Sequence, residues 1–271
     1  MAAHLGSKAE RLTHVRALRT VKGRREQRRY AFEGATLLAD AWAAKLPIEE
    51  LYVTQAAYEA MPLVRELDLA GIPCYLVEPR TAQSISDVDS PSGILAVSPI
   101  RPATLEEVLQ LPGPLLLLAD LNDPANAGGL LRSADAFGCR GVLFGTLGVD
   151  PYHPKVVRGS MGAAFRLALA SIEPQELGAA LQSSGRTLLG LQAGGDDIAS
   201  ETFAQGSVLA VGHERHGLGR WEALCNRLLA IPMSGRTESL SAAVAGSIGL
   251  FLACRQTLGR APAQSLSREY S

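Results

Sequence analysis

The sequence predicts an α/β protein in two parts: a larger second half with a mainly parallel sheet covered on both faces, and a smaller α/β unit before it. Three observations carry this expectation. From residue 114 onward, short apolar runs alternate with helical segments, as in sheets whose strands are buried on both faces. Hydrophobic residues make up 47% of the 271-residue chain and charged residues 20%, which supports a sizeable core and excludes a disordered chain. Between residues 99 and 114, Pro99, Pro102, Pro112 and Pro114 mark a boundary.

Taken in order, residues 10–30 read as an Arg-rich helix with Leu12, Val15, Leu18 and Val21 at helical spacing. Phe32-Glu33-Gly34 leads into a helix over 35–45. A strand at 51–53, a helix at 56–70, a turn at Gly71-Ile72-Pro73 and a strand at 74–77 follow. Ser90-Pro91-Ser92-Gly93 turns the chain into a strand at 94–97. The boundary carries a short acidic helix near 105–109. Beyond it come a strand at 115–119, a helix at 129–137 stopped by Gly138, a strand at 141–144 and a helix at 154–161. A strand at 167–170 and a helix at 174–182 precede strands at 188–191, 208–211 and 228–231. A final helix spans 241–258.

The formal net charge of −1 is unevenly spread. Residues 1–30 hold nine Lys or Arg against Glu10 and Glu26, a formal +7, and the remaining chain is −8. A basic segment on a slightly acidic body suits a polyanion-binding arm, with Arg24, Arg25, Arg28 and Arg29 as candidate contacts; a solvated helix face is the plainer reading. Cys74, Cys139, Cys225 and Cys254 form no CxxC pair, and scattered thiols suit a reducing cytoplasm. The N-terminus is basic without an apolar stretch behind it, so no secretory signal is expected. The run Ala242 to Cys254 is too short to span a bilayer, and no membrane partner is expected.

Ligands of open α/β sheets bind at the carboxyl ends of strands, which directs attention to three loops. The first, Asp120-Leu121-Asn122-Asp123-Pro124-Ala125-Asn126-Ala127-Gly128-Gly129, follows the strand at 115–119. Asn126 can cap the next helix, Gly128 and Gly129 allow close approach to the backbone, and Arg132 lies early in that helix. An ordinary capped helix with a surface arginine is the alternative. The second loop, Gly212-His213-Glu214-Arg215-His216-Gly217-Leu218-Gly219, places a carboxylate directly after a buried strand. His213 and His216 lack further ligands at metal-site spacing, so no metal is expected. The third loop, Pro232 to Ser241, offers either a backbone cradle for a small ligand or, through Ser239 or Ser241, a helix cap. The chain has no GxxxxGK[ST], no GxGxxG opening a βαβ unit and no GxSxG.

Together, NDPANAGGLLRSA from Asn122 to Ala134, GHERHGL from Gly212 to Leu218 and IPMSGRTESLSAAVA from Ile231 to Ala245 resemble the three motifs of the SpoU (TrmH-like) branch of the SPOUT RNA methyltransferases. Val157 to Ala163, VRGSMGA, is also similar to that family. Residues 24–98, with Glu33-Gly34 and Ser92-Gly93-Ile94, resemble more loosely the ribosomal-protein-like RNA-binding domain that often precedes it. The resemblance implies a basic arm and RNA substrate-binding domain over 1–100, a linker over 101–113, a trefoil-knotted methyltransferase domain over 114–260 and a tail over 261–271. It further implies a homodimer, rRNA or tRNA as partner, and S-adenosylmethionine as cofactor. Gly212, Ile231, Met233 and Leu240 would hold the cofactor, largely through backbone. Asn126, Arg132, Glu214 and Ser239 would form the catalytic group, with Ser241 beside them where the family usually has Asn. His213 stands where the family often has Asn.

The activity so implied is methylation of a ribose 2′-hydroxyl. Either of two roles remains open for Arg132: the base that takes the hydroxyl proton, or a clamp on phosphate and ribose. The clamp is preferred, because a guanidinium is hard to deprotonate and a nearby phosphate favours its charged form. The competing readings are a non-catalytic RNA-binding protein that keeps the fold, and methylation of a base nitrogen.

Overall fold

A computed structural model of the chain describes residues 2–237 and 239–258; the expected tail at 261–271 lies outside them. In the first unit, β1 (Ala3–His4), β2 (Arg29–Glu33), β3 (Glu50–Val53), β4 (Cys74–Leu76) and β5 (Ile94–Pro99) form a sheet in the order β1-β4-β3-β5-β2. The first three strands of that order are parallel, and β5 runs antiparallel to β3 and β2. Helices α1 (Glu10–Ala17), α2 (Val21–Gln27), α3 (Ala35–Ala43), α4 (Gln55–Ala60), α5 (Pro62–Leu69) and α6 (Pro79–Ile85) complete it. Strand alternation divides the core. Leu51 and Val53 pack with Leu38, Ala41, Val64 and Leu67 on one face. Tyr52 packs with Leu12, Val15 and Ile85 on the other.

The single helix expected over 10–30 is two helices and the start of a strand. The Thr20 side chain accepts from the Gly23 N–H and caps α2. A Cβ on Gly23 would lie 2.1 Å from the Ala17 carbonyl oxygen, so only glycine lets α2 fold back against α1. Leu12, Val15 and Leu18 are buried as their spacing predicts, whereas Val21 is 40% exposed. Pro62 likewise divides the helix expected over 56–70.

Among the described residues the second unit has six strands, β6 (Leu115–Ala119), β7 (Gly141–Gly145), β8 (Ala168–Ile172), β9 (Thr187–Asp197), β10 (Ser207–Gly212) and β11 (Arg227–Ala230), in the order β11-β9-β10-β6-β7-β8. Every pairing is parallel. Its helices are α7 (Leu105–Leu109), α8 (Pro124–Ala136), α9 (Pro154–Gly159), α10 (Pro174–Ser184) and α11 (Ala242–Leu258). Leu116 and Leu118 face α8 and α11, while Leu115 and Leu117 face α7 and α10. Both faces are covered, which is why β6 reads as an unbroken apolar run. The segment expected as a linker packs against the second sheet. Val108 and Leu109 of α7 are buried in the second core, and the Ala103 N–H donates to the Leu169 carbonyl at 2.9 Å.

The two units share a packed seam. Val157 and Phe165 of the second unit belong to the core of the first. Phe32 meets Phe165, and Tyr30 meets Tyr152, each with ring centroids 4.9 Å apart. Such pairs contribute ~0.5–1.5 kcal/mol beyond area burial. Arg24 is wholly buried here: its Nε donates to Asp150 Oδ2 at 2.8 Å and its Nη1 to the Leu18 carbonyl. The expectation that Arg24 contacts RNA is therefore corrected, because the basic run turns this side chain into the seam. Arg29 is held by Glu49 at 2.6 Å, whereas Arg25 and Arg28 are exposed. A second ion pair, Arg158 to Asp87 at 2.9 Å, crosses the same seam.

Candidate active site

Strand order reverses between β6 and β10: β7 and β8 lie on one side, β9 and β11 on the other. Their last residues pair directly, Ala119 with Gly212. The loops that leave these two strands therefore face each other across the crevice where open α/β sheets bind ligands.

Asp123, not Asn126, caps α8: its side chain accepts from the Ala125 N–H at 2.7 Å, and Pro124 occupies the first helical position. This starts the helix five residues earlier than expected and frees the Asn126 amide. Asn126 Nδ2 donates to Glu214 Oε1 at 2.7 Å, which joins the first and second loops. The second loop is drawn tight by reciprocal backbone bonds between His213 and Gly217, at 2.8 and 2.9 Å. A Cβ on Gly212 would lie 2.3 Å from the Gly217 backbone, so glycine is required there. His213 Nδ1 accepts from the Arg215 N–H at 3.0 Å, and the His213 and His216 rings are 4.8 Å apart. Among the described residues no group of His, Cys, Asp or Glu is arranged to hold a metal.

The first turn of α11 packs beside α8. A Cβ on Gly129 would meet Ala243 Cβ at 3.6 Å, and the Ser133 and Ser247 hydroxyls are 2.7 Å apart. Gly128 admits no ligand; a Cβ there would lie 3.0 Å from the Gly159 backbone, and the glycine serves the α8–α9 crossing. Ser241 precedes α11 and its Oγ accepts from the Val244 N–H at 3.3 Å, a helix cap. Ser239 is exposed on the approach to it. Ile231 is half-buried against the core, while Met233 and Leu240 are 45% and 37% exposed. Arg132 is exposed on α8 and makes no hydrogen bond or ion pair with any described residue.

The structure thus joins Asn126 to Glu214 and assigns Ser241 a capping bond, but brings neither Arg132 nor Ser239 into a polar contact with another described residue. Sequence reasoning passed over Asp120, although it satisfies the criterion that selected Glu214, a carboxylate directly after a buried strand. A cavity of about 890 Å³ between α7 and α10 is lined by Thr104, Glu106, Gln110, Glu176 and Ser183. It lies at the outer strand β8, away from these loops.

The SpoU rRNA methylase family model matches residues 114–251, and the MRM3-like substrate binding domain matches residues 9–96. The 23S rRNA (uridine(2479)-2′-O)-methyltransferase of Streptomyces viridochromogenes is 31% identical over 74% of this chain and 72% of its own length. The 23S rRNA (guanosine(2553)-2′-O)-methyltransferase of Bacillus subtilis is 28% identical over 89% of this chain and 95% of its own. Among solved structures, the AdoMet-bound rRNA methyltransferase of Sinorhizobium meliloti superposes with a TM-score of 0.84 at 25% identity, covering 94% of this chain and 98% of that one. With its family model spanning the whole parallel sheet and both crevice loops, the chain belongs to the SpoU rRNA methylase family.

Proposed function

We propose that the crevice binds S-adenosylmethionine and that the protein methylates a ribose 2′-hydroxyl in rRNA. The observation that carries this reading is the Asn126–Glu214 bond at the reversal of strand order. It is supported by the AdoMet bound to the Sinorhizobium enzyme and by the 23S rRNA activities for which the two relatives are named.

The residues present fit the cofactor. Met233 and Leu240 expose apolar side chains on the segment between β11 and α11, surface that an adenine ring would cover. Gly212 and Ile231 offer backbone groups at the ends of β10 and β11. Bound S-adenosylmethionine supplies an activated sulfonium methyl. The protein's task is then to orient the hydroxyl and help it lose a proton. Asn126 engages Oε1 of Glu214, which leaves Oε2 to accept from the ribose hydroxyl. The Arg132 guanidinium, unpaired among the described residues, clamps phosphate and ribose and stabilises developing negative charge, and the proton leaves through water. Arg25 and Arg28 meet further phosphates.

A homodimer, and a cytoplasmic setting for the scattered cysteines, belong to the same reading. Val244, Ile248 and Phe251 are exposed along one side of α11, and Phe251 packs edge-on against Phe137. That apolar stripe lies beside α8, which carries Arg132, so a second copy seated on it would complete the site. Ser241 offers no support to a non-catalytic binder, because a serine caps α11 as well as an asparagine.

Incubation with labelled S-adenosylmethionine and unmodified rRNA transcripts, followed by nucleoside mass spectrometry, tests the reading. A 2′-O-methylated nucleoside is expected, from a sample that light scattering measures as a dimer. A methylated base, or no cofactor binding by well-folded protein, overturns the assignment; a monomer overturns the shared site.

A further inference from the structure

We infer that Asp120 is a positioning residue for the Asn126–Glu214 pair, acting through Arg220 and Trp221; the inference rests on the reading of the crevice as the methyl-transfer site. Asp120 is the first residue after β6 and sits in the left-handed region with φ 54°, a conformation disfavoured for a residue with a Cβ. Four bonds from three donor residues hold it there. Its Oδ1 accepts from the Leu147 N–H at 3.2 Å and from Arg220 Nη2 at 3.1 Å. Its Oδ2 accepts from Arg220 Nε at 2.7 Å and from Trp221 Nε1 at 2.8 Å. Arg220 also donates to Glu173 and, at 3.2 Å, to the Thr146 hydroxyl, which itself donates to Glu173. A Cβ on Gly145 would lie 2.3 Å from Asp120 Oδ1, so a glycine at the end of β7 makes room for the carboxylate.

The cluster ties together the carboxyl ends of β6, β7 and β8 and the turn at 219–224 that follows the second loop. All its members engage one another, so it is not built to receive a ligand. Its position in the chain gives it another use. Asp120 stands six residues before Asn126, and Arg220 six residues after Glu214. The two loops are therefore pinned at two points: at the exposed Asn126–Glu214 bond and at the Asp120–Arg220–Trp221 cluster, where Trp221 is wholly buried. A single exposed hydrogen bond is worth less than the conformational entropy lost in fixing several loop residues. The Asn126–Glu214 bond cannot order the loops unaided. The charged bonds around Asp120, half-shielded from solvent, supply the difference.

The chain contains three asparagines, Asn122, Asn126 and Asn226, which permits a test independent of RNA. Selective ¹⁵N-asparagine labelling yields three side-chain amide pairs, and that of Asn126 is identified by its loss in Asn126→Ser. In the wild type it should shift on Glu214→Gln. In Arg220→Ala, and in Asp120→Gly, which tolerates the positive φ, it should lose that shift and exchange with solvent about tenfold faster. The Asn226 pair, whose Oδ1 accepts from the Leu188 N–H, should stay unchanged and so report an intact fold. Should Asp120→Gly fail to fold, the half-exposed Arg220→Ala decides alone. An unmoved Asn126 signal in folded Arg220→Ala overturns the inference. So does a wild-type signal indifferent to Glu214→Gln, whereas the methyl-transfer assay judges the activity by itself.

Discussion

The seam between the two sheets and the crevice at the end of the second are both furnished with arginines, and they use them in opposite ways. In the seam, Arg24 and Arg158 each have a carboxylate partner across the boundary, Asp150 and Asp87. In the crevice, Arg132 has no polar partner among the described residues. A satisfied, buried guanidinium fixes structure, and its removal strands a charge. An unsatisfied, exposed one contributes little to stability and remains available to a phosphate. The same residue type is paired across the boundary in one region and left available, for the role proposed for it, in the other; the carboxylate within reach marks the difference.

The largest expected effect breaks the seam. Arg24→Ala leaves Asp150 without its guanidinium and should cost ~3–5 kcal/mol in urea denaturation. The neighbouring Arg25→Ala should leave stability unchanged and lower the slope of log affinity against log salt on rRNA by ~0.7–0.9. If Arg24→Ala proved fully stable yet weakened RNA binding, the contrast between the regions would collapse.

Next comes the crevice. Arg132→Ala should reduce methyl transfer ~10²–10³-fold, as for loss of a charge-stabilising donor, with stability altered by less than ~0.5 kcal/mol. Arg132→Lys should also be poor, since a point charge does not replace a planar fork. Single-turnover rates with rRNA transcripts measure both, and a lysine variant as fast as wild type would contradict the clamp.

The contrast also marks what the sequence made legible. The strands and helices after residue 114 were readable because both faces of that sheet are covered, so strands appear as apolar runs and the chemistry concentrates in the loops between them. Asn126 and Glu214 fell into one expected group, with Arg132 and Ser239, only through the resemblance of three motifs in order and spacing; the bond between them was not legible. The basic segment was misread at Arg24 because charge along a chain says nothing of direction: a fold-back that requires Gly23 turned one arginine of the run inward. The Asp120 cluster was invisible for a related reason. Its members, Asp120, Thr146, Glu173 and Arg220, come from four separate segments, each ordinary in its own surroundings.

A smaller effect sharpens the seam. Burial, and hydrogen bonding with the Asp87 carboxyl, hold the Glu33 carboxyl up to about 7, from an ordinary 4.5. Asp87 itself is held below its usual range by its bonds to Glu33 and Arg158. Glu33 binds its proton more tightly folded than unfolded. Its contribution to stability is therefore fully present below about 4.5 and is lost as pH rises through about 7. Asp87 acts with the opposite sign, at lower pH. Glu33→Gln should flatten the fall in Tm between about pH 5 and pH 8. An unchanged Tm profile would show that Glu33 ionises without consequence for the seam.

The smallest effect lies in the crevice, at Ser241, where the resemblance led to the expectation of an asparagine. Ser241 Oγ accepts from the Val244 N–H at 3.3 Å, and the Ser241 carbonyl accepts from the Ala245 N–H at 2.9 Å. Both bonds belong to the first turn of α11, whose orphan donors need acceptors whatever the loop does in catalysis. At 3.3 Å the side-chain bond is long and the residue is exposed, so Ser241→Ala should cost no more than ~1 kcal/mol, the usual worth of a cap. Ser241→Asn retains an acceptor there and should be neutral. If the cap is the whole role, single-turnover methylation by the alanine variant stays within about twofold of wild type once its lower stability is respected. A large drop in rate at unchanged Tm would mean that the hydroxyl reaches Glu214 or the ribose, and Ser241 would then belong with Arg132 rather than with the scaffold.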